Sequence, residues 1–152
     1  MISIETIVED ERWRAAVAGV DALAERAFAA ARAREPRIAG AVALLLADDA
    51  ELRALNARFR GKDAPTNVLS FPSGDADPLG DIAIAFETVA REAAEKSVIF
   101  ADHLAHLIVH GLLHLAGHDH EGDADAARME ALEVDILDAI GVPNPYTGFG
   151  EH

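Results

Sequence analysis

HLAHLIVHGLLHLAGHDH, residues 103–120, is the stretch that decides how this chain folds. It holds six of the seven histidines of the protein, and the residues between them are almost all apolar, among them Leu104, Ile108 and Leu112. A helix that is apolar on nearly every side lies in a protein core, and polar side chains on it require a cleft, a metal ion or hydrogen-bonding partners. The stretch therefore predicts a central buried helix that carries a functional row of histidines.

The spacing of three of these histidines is typical of a metal site. In His110-x-x-x-His114 the two imidazoles lie one turn apart on the same helix face, separated by about 6 Å of rise. Gly117 falls where the helix would end, because glycine adopts the left-handed conformation there without a steric penalty. The chain can then turn back and bring His120 to the same ion. Three neutral imidazoles leave one tetrahedral position of Zn²⁺ open for water, so we predict one catalytic zinc per chain, bound by His110, His114 and His120.

Other interpretations of the histidines stay open at this level. A His-x-x-x-His pair alone is found more often on a helix surface than at a metal. His106 and His103 extend the row backward at spacings of four and three residues, and they either line the same groove or are satisfied within the core. We expect His106 and Asp119 to support the ligands by hydrogen bonding.

Gly111 stands where the zinc-protease pattern H-E-x-x-H carries the glutamate that acts as general base. This position therefore counts against a peptidase. Glycine within a helix costs about 1 kcal/mol relative to alanine, so we expect that Gly111 allows close approach by another backbone segment or by the substrate.

Three blocks of the sequence resemble the bacterial YbeY family of zinc-dependent endoribonucleases, which act in ribosomal RNA maturation. Residues 110–120, HGLLHLAGHDH, are similar to the family signature H-G-x-L-H-L-x-G-[YH]-D-H. Residues 55–72, LNARFRGKDAPTNVLSFP, and residues 79–85, LGDIAIA, resemble its other two blocks. Asn67, where many members carry aspartate, and His118, where many carry tyrosine, are minor departures.

The resemblance implies a single-strand-directed endoribonuclease that matures the 3′ end of 16S ribosomal RNA and serves in ribosome quality control. It also implies that catalysis depends on Arg60, which matches an arginine of the family's second block, together with His114. A guanidinium suits the charge that develops on phosphoryl oxygens, and zinc lowers the pKa of bound water to about 7. The general base stays open among Asp119, Glu121 and Asp123, and the nucleophile is either water or the RNA 2′-hydroxyl.

Arg58, Arg60 and Lys62, with Arg53, form the densest basic cluster of the chain, and we predict that the first three bind the substrate. The alternative is a solvated helix face. The formal net charge of −14 gives no general attraction to phosphates, and residues 119–138 alone hold eight carboxylates against one arginine. RNA should therefore meet a local basic groove on a surface that otherwise repels it.

Composition limits the class of protein. A chain of 152 residues is one domain, 1–152, in which we expect residues 143–152 to form a loosely held tail. The absence of cysteine excludes disulfides and thiolate ligands and suits a reducing cytoplasm. The N-terminus lacks an apolar signal-peptide core, and the longest apolar run, 39–47, is too short to span a bilayer. We therefore expect a cytoplasmic protein that does not contact membranes.

Hydrophobic periodicity predicts strands over residues 2–8, 41–47, 66–71 and 79–86, the last two being neighbours joined by a polar loop. Helices are predicted over residues 13–34, from Asp48 or Asp49 through Phe59, over 87–96, in the histidine stretch with Asp102 as a candidate N-cap, and over 124–140. The fold class is α+β. The family resemblance implies a four-stranded mixed sheet packed against helices, with the histidine helix at its centre.

Two other functions stay open from the sequence. One is a metallohydrolase of another substrate, since three-histidine zinc sites occur in several enzyme classes. The other is a ribosome-assembly factor whose metal mainly holds the fold. The expected partners are ribosomal RNA, small-subunit proteins and an assembly GTPase, which would supply the docking that an acidic surface does not.

Overall fold

The computed structural model describes residues 4–119 and 121–146, which form four strands and six helices. In chain order they are β1 (Ile4–Val8), α1 (Arg12–Ala16), α2 (Val20–Arg34), β2 (Val42–Ala47), α3 (Asp49–Arg60), β3 (Val68–Pro72), β4 (Gly80–Ala85), α4 (Phe86–Lys96), α5 (Phe100–Leu115) and α6 (Asp123–Ala139). The predicted elements are present, and most of their ends shift by one or two residues.

The sheet has the order β1–β2–β4–β3, with β1, β2 and β4 parallel and β3 antiparallel to β4. This confirms the predicted four-stranded mixed sheet of an α+β domain, and it confirms the pairing of the two strands that the polar loop joins. The central strand β2, VALLLA, is apolar along its whole length because helices cover both faces of the sheet. Pro72 ends the edge strand β3, a position that tolerates a residue without an N–H donor.

The two faces of the sheet carry different helices. Ile82 and Ile84 of β4 point into the larger core, to which α1, α2, α5 and α6 contribute. Ala83 and Ala85 point to the opposite face, where Leu52 of α3 covers them. This alternation is the ordinary consequence of side chains projecting to opposite sides along a strand. The histidine helix α5 and the helix α3 therefore lie on opposite faces.

α5 is the central helix of the larger core, as the sequence predicts. It packs against α2, α4 and α6 and against β3 and β4. Leu104, Ile108, Leu112 and Leu113 are fully buried. Within the described residues no single helix is long and apolar enough to cross a membrane, and the bent pair α4–α5 reaches that length only across an angle of 116°.

One predicted helix, over residues 13–34, is in fact two. Val17 adopts an extended conformation (φ −132°, ψ 103°) between α1 and α2, and this interrupts the helical hydrogen bonding. The fully buried indole of Trp13 donates a hydrogen bond from Nε1 to the carbonyl oxygen of Ala47 at 2.9 Å. α1 is thereby anchored to the end of β2 in its own orientation, which the periodicity of one segment does not reveal.

Of the two predicted helix N-caps, one is present and the other is not. Asp48 caps α3, because its side chain accepts a hydrogen bond from the backbone N–H of Glu51 at 2.8 Å. Asp102 does not cap α5, since the helix begins at Phe100 and Ile99 takes the capping position. Asp102 lies in the first turn instead, where a negative charge interacts favourably with the helix dipole.

Candidate metal centre

One face of α5 carries four histidines at helical spacings of three and four. His103, His106, His110 and His114 follow one another along it, and their neighbouring rings have centroids 6.1, 6.3 and 4.6 Å apart. We call these four residues the histidine row. His103 and His106 are buried, whereas His110 and His114 are partly exposed. The accessible part of the row is therefore the pair that the sequence predicts to bind metal.

His110 and His114 approach each other through the same ring nitrogen. Their Nε2 atoms lie 3.1 Å apart. Two imidazole nitrogens bound to one tetrahedral zinc at about 2.0–2.1 Å lie about 3.3 Å from each other. The pair is therefore arranged as two ligands of one ion would be, and imidazole nitrogen is a donor that zinc prefers.

Glu133 of α6 contacts this pair through His110, on the side of the ring away from His114. It is fully buried, and its Oε2 lies 2.6 Å from Nδ1 of His110. A carboxylate at that distance accepts the Nδ1–H, which leaves the lone pair on Nε2, the atom that faces His114. The carboxylate thus fixes the tautomer and the orientation that a metal ligand needs.

Glu133 stays ionised although it is buried. Burial raises the pKa of Glu133, but hydrogen bonds from His106, His110 and Tyr146 outweigh it and lower the pKa to about 2. Nε2 of His106 lies 3.2 Å from Oε1, and the Tyr146 hydroxyl donates to the same oxygen. Nδ1 of His106 is buried and has no hydrogen-bond partner among the described residues. His106 therefore contacts the carboxylate that orients His110.

Sequence reasoning missed Glu133, although a signal was present. Counting carboxylates over residues 119–138 treats it as one of many surface acids. It lies four residues after Met129 and three before Ile136, and both of these are buried on the inner face of α6. A carboxylate on the inner face of a helix needs a partner, so its position alone marks it as a candidate.

A second possible set of metal ligands shares His110 with the first set. His106, His110 and Glu133 form a group that could hold a metal ion, with one ligand atom of each within 4.8 Å of the others. In the described conformation, however, Nδ1 of His110 and Oε2 of Glu133 lie at 2.6 Å, a hydrogen-bond distance. Two ligand atoms on one metal lie about 3 Å or more apart. The Nε2 pair is therefore the better-shaped donor set, with Glu133 as its hydrogen-bond acceptor.

Gly111 brings α5 close to the sheet. A Cβ atom at this position would lie 3.0 Å from Cδ1 of Ile82 and 3.2 Å from Oγ of Ser70. The Ser70 hydroxyl also donates to the carbonyl oxygen of Gly111 at 3.4 Å. The expected close approach is confirmed, and the approaching groups are side chains of β4 and β3 rather than a backbone segment.

The C-terminal end of α5 has the predicted turn. The helix ends at Leu115, and Gly117 follows with φ of 103°, in the left-handed conformation. The backbone N–H of His118 donates to the carbonyl oxygen of Leu113 at 3.0 Å, which closes the helix end. The third predicted ligand, His120, lies outside the described residues.

The side chains just after this turn have other partners. Nε2 of His118 lies 2.8 Å from Oε2 of Glu35 and 3.0 Å from the guanidinium of Arg37. Asp119 accepts a hydrogen bond from the backbone N–H of Glu121 at 3.2 Å. His118 is thus bound to Glu35 and Arg37, and Asp119 is bonded to the backbone of Glu121.

His103, at the buried end of the row, has a separate carboxylate. Its Nε2 lies 2.8 Å from Oε1 of Glu92 in α4. Burial lowers the pKa of His103, and the hydrogen bond to Glu92 opposes this shift. The amide nitrogen of Asn67 donates to both oxygens of Glu92, at 3.0 and 3.3 Å. An aspartate at position 67 would instead repel Glu92, so asparagine suits this carboxylate, and His103 is satisfied within the core.

The predicted substrate-binding residues lie at the C-terminal end of α3. Arg53 is neutralised by an ion pair with Asp63 at 2.8 Å. Arg58, Arg60 and Lys62 are exposed, and none of them forms an ion pair with a residue in 4–119 or 121–146. We call these three the basic end of α3. The structure thus brings His110 and His114 together and leaves Arg60 solvated, with no hydrogen bond to the described histidines.

Known proteins share this architecture and sequence. The family model described as Endoribonuclease YbeY matches residues 5–141. A protein named Endoribonuclease YbeY from Chelativorans sp. (strain BNC1) is 53% identical over 132 residues, which cover 82% of this chain and 81% of the relative. One of the same name from Maricaulis maris is 48% identical, with coverage of 96% and 92%. The solution structure of TM1509 from Thermotoga maritima superposes with a TM-score of 0.62 at 26% identity, over 90% of this chain and 91% of that one. The chain therefore belongs to the YbeY endoribonuclease family.

Proposed function

We propose that this protein is a zinc-dependent endoribonuclease that cleaves single-stranded regions of ribosomal RNA precursors, at the 3′ end of 16S ribosomal RNA, in maturation and ribosome quality control. The observation that carries the proposal is the pair of Nε2 atoms of His110 and His114, 3.1 Å apart and backed by Glu133. Family membership supports the reaction class, and the pair supports a metal as the chemical means.

In this proposal His110, His114 and His120 bind one Zn²⁺ per chain, and Asp119 supports His120 by hydrogen bonding. The bound ion supplies Lewis acidity, which polarises a phosphoryl oxygen and lowers the pKa of water to about 7. Glu133 accepts the Nδ1–H of His110, so it orients the ring and, in the neutral imidazole, leaves the lone pair on Nε2. The second donor group, His106–His110–Glu133, is the competing assignment.

Arg60 is the proposed partner of the scissile phosphate. Its guanidinium carries a permanent charge and a planar pair of donors, which fit the oxygens of a phosphoryl group as negative charge develops on them. The solvated state of Arg60 supports this role, because no acid among residues 4–119 and 121–146 has to be displaced when RNA binds. Arg58 and Lys62 are proposed to bind the neighbouring phosphates.

The charge of the whole protein bears on its partners. A formal net charge of −14 opposes indiscriminate binding to RNA, because general attraction requires an excess of clustered cations. We infer that small-subunit ribosomal proteins and an assembly GTPase present the precursor to the basic end of α3. We propose accordingly that the protein acts in the cytoplasm, where ribosomes assemble.

The test is cleavage of a ribosomal RNA precursor by purified protein at low salt, with metal content measured on each sample. Wild type is compared with His114→Ala, Arg60→Ala and a matched control, Arg26→Ala. Arg26 is exposed on α2 and forms no ion pair within the described residues. We expect His114→Ala to lose both metal and cleavage, and Arg60→Ala to keep the metal but lose about a hundredfold in cleavage rate. Arg26→Ala should behave as wild type.

The outcomes separate the competing functions. Equal cleavage by all four samples would mean that a contaminant cuts the RNA. Metal bound by a wild type that does not cut would favour an assembly factor with a structural metal, which the acidic net charge also favours. Equal losses in Arg60→Ala and Arg26→Ala would contradict a specific role for Arg60.

A further inference from the structure

Phe59 is a large aromatic side chain held at the surface. Its exposed fraction is 60%, whereas Trp13 and Phe28 are fully buried. It lies in the last turn of α3, between Arg58 and Arg60. A phenylalanine in this position offers an apolar ring within a positively charged surface.

The ring of Phe59 is positioned by the core beneath it. Phe71 of β3 packs against it with ring centroids 5.4 Å apart and an interplanar angle of 64°. Phe71 in turn packs on the smaller core, which contains Leu69 and Leu52. The guanidinium carbon of Arg58 lies 5.3 Å from the centroid of the Phe59 ring. A cation and a second ring therefore fix the place of this exposed side chain.

The loop after α3 is also held against the helix. Gly61 adopts the left-handed conformation with φ of 70°, and the backbone N–H of Lys62 donates to the carbonyl oxygen of Asn56 at 3.2 Å. The buried amide of Asn56 donates to the carbonyl oxygen of Ala64 at 2.9 Å. These bonds keep Lys62 beside the end of α3, so the cations of the basic end share a surface with Phe59.

This surface is separated from the histidine row by one edge strand. Neighbouring side chains of β3 point to opposite faces, so Phe71 packs toward α3 and Ser70 toward α5. Ser70 donates to the carbonyl oxygen of Gly111, the residue after His110. β3 pairs only with β4, so its other edge has no strand partner among the described residues. A flexible polymer bound at Phe59 would have to wrap around this edge to reach the pair His110–His114.

We propose that Phe59 is a stacking platform for an unpaired RNA base near the cleavage site, with the basic end of α3 binding the flanking phosphates. The inference rests on the proposed function and adds a base-stacking residue to its single-stranded substrate site. Every base has a π-face that stacks on an aromatic ring, and unpaired cations bind the backbone, so this combination selects single-stranded RNA. An apolar protein partner would not need the three cations, and an acidic peptide would not need the ring.

The experiment measures stacking directly, through quenching of 2-aminopurine in a single-stranded 2′-O-methyl RNA oligonucleotide whose integrity is checked afterwards. Phe59→Leu keeps apolar packing on Phe71 but removes the π-face, and Phe59→Trp restores it. Ile99→Ala is the control, because Ile99 is 68% exposed and apolar but outside this surface. We expect Phe59→Leu to lose quenching and about five- to thirtyfold in affinity, whereas Phe59→Trp and Ile99→Ala behave as wild type.

Quenching and affinity of Phe59→Leu equal to those of wild type, in protein whose thermal unfolding is unchanged, would overturn the platform. Failure of wild type to bind the oligonucleotide would also overturn it and would leave a protein as the occupant of this surface. Precursor cleavage is measured in parallel. A wild type that binds and quenches but does not cut would contradict the proposed function and leave the platform standing.

Discussion

The histidine row of α5 and the basic end of α3 are both polar, yet their groups are satisfied in different ways. In the row, ring nitrogens of His103, His106 and His110 lie within hydrogen-bond distance of a carboxylate. At the basic end, the cations are exposed and form no ion pair with any residue of 4–119 or 121–146. One region is fixed before anything binds, and the other is solvated.

The difference suits the two tasks proposed for these regions. A metal ligand needs a fixed tautomer and orientation, and a buried carboxylate provides both. A cation that binds phosphate gains binding free energy because RNA releases counterions. That free energy is lost if the cation must first break an ion pair with an acid of the protein. On a chain with a net charge of −14, acidic partners are abundant, yet the three neighbouring cations of the basic end form no ion pair within the described residues and stay available to an external anion.

The largest expected effect tests the fixed region. Glu133→Gln keeps the size of the side chain but removes the negative acceptor at Nδ1 of His110. We expect zinc affinity to fall by about 10- to 100-fold, because the ring loses its preferred tautomer. Competition with a chromophoric chelator measures the change. Binding of single-stranded RNA at the basic end of α3 should stay close to wild type, because that region does not contact Glu133.

The control for this prediction is Glu130→Gln, which removes an exposed carboxylate from the same helix. Unchanged zinc affinity in Glu133→Gln would contradict its orienting role. The competing donor group gives a different pattern. If His106, His110 and Glu133 are the ligands, zinc binding is lost in Glu133→Gln but survives in His114→Ala.

The second prediction uses a carboxylate–imidazole pair outside the row. Hydrogen bonds from Arg37, opposed by burial and reinforced by His118, lower the pKa of Glu35 from 4.5 to about 2. Because the pKa is lower in the folded state, the stabilisation is complete above about pH 4.5 and is lost as the pH falls toward about 2. We expect Glu35→Gln to lower the free energy of unfolding by about 1–2 kcal/mol at neutral pH, and by less near pH 3.

Urea unfolding at the two pH values checks this, with Glu25→Gln on α2 as the exposed control. A deficit of the same size at both pH values would mean that the charge of Glu35 is not the cause. Zinc affinity should be unchanged, since His118 rather than the described pair His110–His114 contacts this carboxylate. On this expectation, a carboxylate–imidazole contact stabilises the fold at Glu35 and orients the proposed metal ligand at Glu133.

The third prediction concerns how tightly the row is set against the sheet. Gly111→Ala places a Cβ 3.0 Å from Cδ1 of Ile82, closer than ordinary packing. Overpacking costs about 1–3 kcal/mol, and the helix propensity of alanine returns about 1, so we expect a net loss of about 1 kcal/mol in unfolding free energy. Adding Ile82→Val removes the nearest atom and should recover part of the loss. A more stable Gly111→Ala protein would show that α5 has room to move.

The sequence predicted the fold and the pair His110–His114 because both depend on local regularities. Strand alternation and helical periodicity are properties of single segments, and a spacing of four places two imidazoles on one helix face whatever surrounds the helix. Gly117 was predictable for the same reason, since glycine is favoured after a helix C-terminus. The family resemblance added a four-stranded mixed sheet as an expectation, which the structure confirms, but it did not supply the order of the strands.

The features that the sequence did not predict depend on contacts between segments. Glu133 is recognisable as an orienting group only when α6 is known to pack against α5. Trp13 anchors α1 to the end of β2 by bonding to Ala47, a residue in another element. Gly111 was correctly predicted to allow close approach, but the approaching groups, Ile82 and Ser70, lie on strands whose order the periodicity alone did not supply.

The smallest expected effect tests the solvated region. Arg58 lies in the last turn of α3, where a cation also interacts favourably with the helix dipole, so two explanations of its place compete. As a phosphate contact, Arg58→Gln should weaken binding of the single-stranded oligonucleotide about two- to threefold and reduce the salt dependence by about one counterion. If Arg58 interacts only with the helix dipole, Arg58→Gln should lower the free energy of unfolding slightly and leave the salt dependence of RNA binding unchanged.

Arg32→Gln is the matched control, because Arg32 is exposed in the last turn of α2. A reduced salt dependence of RNA binding in Arg58→Gln but not in Arg32→Gln identifies α3 as the RNA-binding surface. Equal salt dependence in both variants would mean that the cation serves the helix, and the absence of ion pairs around it would then say nothing about an external anion.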